Sequence, residues 1–80
     1  MTADTLKKGE TARIIGLADD PAAAKLAEMG CLPGVTIEKV LTAPLGDPAA
    51  YQISGSFVLA LRRNEAALVE VEKTSDKPWA

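Results

Sequence analysis

Eighty residues, 48% apolar and 25% charged, suffice for one small hydrophobic core and argue against wholesale disorder. The formal charge of −2, with nine basic residues scattered against eleven acidic ones, lacks the cationic surplus that nucleic-acid binding draws on. The chain has no histidine, which removes the commonest general base and transition-metal ligand, and one cysteine, which excludes an intrachain disulfide.

Met1 to Glu10 carries neither the basic start nor the apolar stretch of a signal peptide. No apolar run approaches the ~18 residues that span a bilayer, so direct membrane insertion is not expected and a cytoplasmic location is. Met1 to Thr5 is expected to be loosely held, as termini usually are. Leu6 is the first core candidate, followed by a polar turn at Lys7-Lys8-Gly9-Glu10. Thr11 to Leu17 alternates as a strand, with Ala12, Ile14 and Gly16 on one face and Arg13 and Ile15 on the other. Gly16 inside it predicts a bulge or bend, as at the corner of a small barrel.

A helix over about 20–29 follows. Asp20 suits its N-cap and Pro21 its first position, where the missing N–H costs nothing. Asp19 and Asp20 lie at the positive end of the helix dipole and read as a cap rather than a hard-cation site. Ala22, Leu26 and Met29 form the apolar stripe, with Lys25 and Glu28 towards water. Gly30 then closes the helix in a left-handed conformation, which places Cys31 against Leu26. Pro33 and Gly34 suit the two central positions of a type II turn. Gly30, Pro33 and Gly34 are thus structural turn residues that deliver the chain into a strand over Val35 to Ala43, in which Val40 breaks the alternation.

The two prolines of Ala43-Pro44-Leu45-Gly46-Asp47-Pro48-Ala49-Ala50 take that segment out of the sheet. A leucine held between stiff turn residues loses little entropy on docking, which makes the loop a candidate contact. Tyr51–Ser54 and Phe57–Leu61 read as a hairpin around Gly55-Ser56, glycine first as a type II′ turn prefers. Tyr51, Ile53, Phe57, Leu59 and Leu61 are the inward set. A short helical turn over about 63–66, capped by Asn64, separates them from a last strand over Ala67 to Glu72 with Val69 and Val71 inward. The whole reads as all-β with an inserted helix: a small five-stranded barrel, closed or nearly so, over residues 1–73, and a flexible polar tail over 74–80 containing Trp79.

No catalytic constellation is present. Ser54 and Ser56 have no histidine base, the glycines form no phosphate loop, and Cys31 has no base or cation beside it in sequence. Cys31 reads as a small packing residue. A zinc site would need three or four Cys or His ligands, and the chain holds one. Neither enzymatic activity nor a cofactor or bound metal is expected.

These residues resemble the FeoA family, the small cytosolic companions of the bacterial ferrous iron transporter FeoB. The matching pieces are Gly9 with Ala12-Arg13-Ile14, the corner Lys25 to Gly34, the loop Ala43-Pro44-Leu45-Gly46-Asp47-Pro48, Leu59 to Ala66, and Val69-Glu70-Val71. The likeness covers about residues 5–72; the Thr5 to Lys8 entry and the Trp79 tail depart from it. It implies an SH3-like barrel and a role in Fe²⁺ uptake by contact with FeoB, whose cytosolic part binds GTP. It supplies no metal ligand that maps onto this chain. The function expected is therefore a non-enzymatic regulator at the inner face of the plasma membrane, recruited there by its partner. Its candidate contacts are Leu32, the loop Pro44, Leu45, Gly46, Asp47 and Pro48, and Arg62 and Arg63 for charge complementarity. Exposed loop leucines would also support a weak homo-oligomer. The alternative is a metal-binding or metal-sensing module related to the C-terminal domain of DtxR-type repressors.

Overall fold

The computed structural model describes residues 1–74. Strands β1 (Thr11–Leu17), β2 (Thr36–Thr42), β3 (Ala49–Ile53), β4 (Phe57–Leu61) and β5 (Val69–Lys73) form one antiparallel sheet in the order β4-β3-β2-β1-β5. Helix α1 (Ala23–Glu28) lies between β1 and β2, and the single turn α2 (Arg63–Ala66) between β4 and β5. Tail residues 75–80, including Trp79, lie outside the described residues.

Alternation builds the core. Ala12, Ile14, Ile37, Tyr51, Ile53, Leu61, Val69 and Val71 turn to one side, where Leu6 and Leu26 close over them. Two bulges curl the sheet. The β1–β5 register slips between Ile14 and Gly16, as Gly16 predicts, and leaves Ile15 over and exposed. The β2–β3 register slips between Lys39 and Leu41, at the Val40 that breaks the alternation. Each extra residue adds local right-handed twist, which coils a short sheet towards a barrel.

The corner after α1 forms as the residues dictate. Gly30 has φ of 105°, its N–H donates to the Ala27 carbonyl at 3.1 Å, and that of Cys31 donates to the Leu26 carbonyl at 3.0 Å. These are the two bonds of a Schellman cap. The Val35 N–H donates to the Leu32 carbonyl at 3.1 Å across Pro33-Gly34, with Gly34 at φ 92°. The Gly34 N–H then donates to the Ile14 carbonyl at 2.7 Å, pinning the turn to β1.

Five expectations need correction. The first residues are tied down: Thr2 bridges Glu70, the Val71 N–H donates to the Met1 carbonyl at 2.8 Å, and Ala3 is fully buried. Burial of Ala3 and Leu6 outweighs the usual fraying of a terminus. The regular helix starts later, at Ala23, although the Asp20 carboxylate accepts the Ala22 N–H at 2.8 Å, as a capping residue does, in the turn that leads into it. The buried position is consequently Ala23, three before Leu26, and Ala22 is exposed. Strand β3 begins at Ala49, since only Pro48 and the residues before it lack ladder partners. In the β3–β4 hairpin positive φ falls at Ser54 (53°) and Gly55 (71°), with the Ser56 N–H on the Ile53 carbonyl at 3.0 Å. That is the pattern of a type I′ turn one residue earlier, which matches strand twist. Phe57 remains 40% exposed, because β4 is a terminal strand of the sheet and, among the described residues, no further strand covers it.

Candidate partner-binding face

The loop between β2 and β3 is a constrained projection. The Gly46 N–H donates to the Ala43 carbonyl at 2.7 Å, closing a turn with Pro44 and Leu45 at its centre. Proline presets the first central φ, and Gly46 follows at φ 88°. The Ala43 N–H donates to the Pro48 carbonyl at 3.0 Å and seals the base. Leu45 at the tip is 93% exposed, the highest value among the large exposed apolar residues. A rigid turn thus holds a bare leucine in water.

A long-range bond orients this loop. Asp47 Oδ1 accepts the N–H of Arg63, the first residue of α2, at 2.9 Å. Glu65 Oε1 accepts the Arg62 N–H at 2.8 Å, so two carboxylates satisfy the start of that single helical turn. Asn64, the expected cap, is exposed and makes neither bond. Arg62 and Arg63 are exposed beside the loop, and the Arg63 guanidinium lies 3.5 Å from where a Cβ on Gly46 would stand.

Beneath the loop is a cleft of about 370 Å³ walled by Asp4, Lys39, Thr42, Asp47, Tyr51 and Arg63. Tyr51 is 2% exposed and its hydroxyl donates to the Ala3 carbonyl at 3.4 Å. Burial first, then the charges of Asp4 and Asp47, push this phenol above its ordinary value. It therefore stays a neutral donor. Asp4 accepts a hydrogen bond from the Thr2 hydroxyl, so both carboxylates at the cleft are engaged locally. Among the described residues the salt bridges are Arg13–Glu72 and Lys73–Glu10. Lys39 and Arg63 belong to neither and supply the cleft's uncommitted positive charge.

The fold unites Pro44, Leu45, Gly46, Asp47 and Pro48 with Arg62 and Arg63, and leaves Leu32 apart. Leu32 is 47% exposed, next to the start of β2, whereas Leu45 follows the end of that strand. Seven residues of strand separate those ends by about 20 Å. The Phe57 ring instead lies against the corner, 2.9 Å from the position of a Cβ on Gly30. Asp4, Lys39 and Tyr51 were not readable as wall residues, since they meet only through pairings far apart in sequence. Among the described residues no three of His, Cys, Asp and Glu converge as a metal site. Cys31 is buried, and burial pushes its thiol above the ordinary value, away from the reactive thiolate.

Comparison with known proteins identifies the architecture. The family model for the FeoA domain matches residues 1–73. The chain belongs to the FeoA domain family. An iron(II) transport protein A from Clostridium thermocellum superposes with a TM-score of 0.82 at 43% identity, over 91% of this chain and 45% of that one. The FeoA of Stenotrophomonas maltophilia is 30% identical with a TM-score of 0.79, over 90% of this chain and 89% of that one. That protein is described as a prokaryotic SH3-domain protein, solved with zinc, and put forward as a bacterial ferrous iron transport activating factor. The SH3-like fold thus holds for this family member. An Fe(2+) transport protein A/Fe(2+) transporter FeoB fusion protein of Porphyromonas gingivalis is 45% identical over 51 residues, which are 64% of this chain. The matched stretch is 6% of that fusion, and the chain spans under half of the Clostridium protein. Among the described residues no helix is long and apolar enough to cross a membrane.

Proposed function

We propose that this FeoA-family chain is a non-enzymatic accessory protein that docks, in the cytoplasm, on the GTP-binding cytosolic part of a FeoB-type transporter. The observation that carries the reading is Leu45, 93% exposed at the tip of a turn braced by Asp47, in a family member whose relative is joined to FeoB in one chain. A preorganised apolar tip needs a partner pocket and gives up little entropy on entering it. Arg62 and Arg63 beside it favour an acidic rim on the partner, which acts chiefly on association rate and specificity. Leu32 is a second, spatially separate contact.

The test is calorimetric titration of this chain into the isolated cytosolic domain of its transporter. Leu45→Asp is expected to weaken binding by at least about tenfold, as loss of an interface anchor does. Its melting temperature should stay near that of the wild type, since the side chain touches water and little else. Equal affinity for both proteins removes the loop from the interface.

The metal-binding alternative draws on the zinc in the Stenotrophomonas relative. Anaerobic calorimetry with Fe²⁺ separates the two, an adaptor giving no saturable heat in the micromolar range.

A further inference from the structure

The two terminal strands of the sheet are finished in different ways. Along β5 the residues Glu70, Glu72 and Lys73 carry charge, and the start of the chain lies over the edge through the Thr2–Glu70 bridge and the Val71-to-Met1 hydrogen bond. Among the described residues strand β4 has no such protection. Its ladder with β3 runs from Ile53–Phe57 to Ala49–Leu61 without a register shift. Among the described residues its backbone makes no hydrogen bond outside that ladder. Phe57, Val58 and Ala60 are exposed, Val58 to 56%. Phe57-Val58-Leu59-Ala60-Leu61 contains no charge, no proline and no bulge, the devices by which edge strands discourage pairing.

We propose that two copies of this chain associate through β4, their edges pairing antiparallel about a two-fold axis at Leu59. That register sets Phe57 opposite Leu61 of the second copy, Val58 opposite Ala60, and Leu59 opposite itself, apolar against apolar throughout. It sends the two Arg62 side chains to opposite ends, about 20 Å apart along the strand, beside the uncharged Ser54–Ser56 turns. No like charges meet. A second copy of β4 brings neither charge nor proline to this edge. One pair of five-residue strands buries less than the ~1,200 Å² of a stable complex, so the dimer is weak and appears only as concentration rises.

Sedimentation equilibrium of the full chain over about 10 µM to 1 mM, the range such an interface calls for, tests this. The weight-average mass of the wild type should climb from one chain towards two. Val58→Lys should remain at one chain throughout, because it puts two ammonium groups on one face of the joined sheets. Leu45→Asp should associate like the wild type, which keeps this edge distinct from the loop assigned to the transporter. Mixing Val58→Cys with Ala60→Cys under oxidation should yield the mixed disulfide over either self-disulfide, the native Cys31 being buried. Ala60→Lys stands in if Val58→Lys loses its melting transition. A wild-type mass of one chain at every concentration overturns the proposal. So does association that survives the lysine variants with the fold intact, or that vanishes only on deletion of residues 75–80.

Discussion

Gly30 carries two demands that both exclude a side chain. Its φ of 105° favours glycine, and a Cβ there would stand 2.9 Å from the tip of the Phe57 ring. Gly30→Val should cost about 1–2 kcal/mol through the left-handed penalty alone. The contact adds less, because the ring is half-exposed and can swing outward. In a Phe57→Ala background most of the Gly30→Val penalty should therefore survive, a cycle read by urea denaturation. A penalty that disappears there would make the ring contact, and not the backbone, the reason for glycine.

Two titrating residues give pH signatures of opposite sign. Glu10 is held below its ordinary value by Lys73 first and then by the Lys7 backbone N–H. Its contribution is present above the unfolded carboxylate value of about 4.5 and is lost as pH falls through the lower folded value. Glu10→Gln should flatten the acid limb of the stability profile. Tyr51 is shifted upward, by burial ahead of Asp4 and Asp47, so its contribution is full below about 10 and lost as pH rises through the folded value. Thermal melts stepped through both ranges check the two signs.

At the scale of elements, α2 is too short to hold itself. Four residues make barely one turn, and helix nucleation alone is unfavourable. It persists because Asp47 and Glu65 take its first N–H groups and Ala66 is fully buried. Asp47→Ala should cost about 1 kcal/mol, as loss of a cap does, and Asp47→Asn should recover most of it. Since the same bond aims the Leu45 turn, Asp47→Ala should also weaken transporter binding without touching the tip. A protein that keeps full affinity would show that the loop needs no bracing.

At the scale of the molecule, the first residues behave as part of the sheet. Deleting residues 1–5 removes buried Ala3, the Thr2–Glu70 bridge with its Val71-to-Met1 backbone bond, and the acceptor of the Tyr51 hydroxyl. The expected loss is about 2–4 kcal/mol from apolar burial and hydrogen bonds together, measurable as a lowered urea midpoint. The deletion would also uncover the β5 edge and promote aggregation. At the same scale Leu32 and Leu45 lie at opposite ends of β2. If both touch the transporter, the free-energy losses of Leu32→Asp and Leu45→Asp should add, as those of distant sites do.

Local chemistry explains what was legible in the residues alone. The Gly30 cap, the Pro33-Gly34 turn, the Gly16 bulge and the alternation of Val69 and Val71 depend on a few neighbouring residues, and all appear as read. So does the family, because turn and loop signatures are local strings. The order β4-β3-β2-β1-β5 rests instead on pairings between distant residues, and everything that depends on it needed the tertiary structure. It places Phe57 on an edge, where burial is incomplete. It holds the first three residues on β5, against the usual behaviour of a terminus. It brings Asp47 to Arg63 across 16 residues, which turns an ordinary proline loop into a braced projection. The sequence by itself determined the turns that glycine and proline force after α1 and the alternation that marks the buried side of β1 and β5. Only the tertiary structure decided which edges are covered and how the Leu45 loop is braced, because burial and long-range bonds belong to the packed chain and not to any stretch of it.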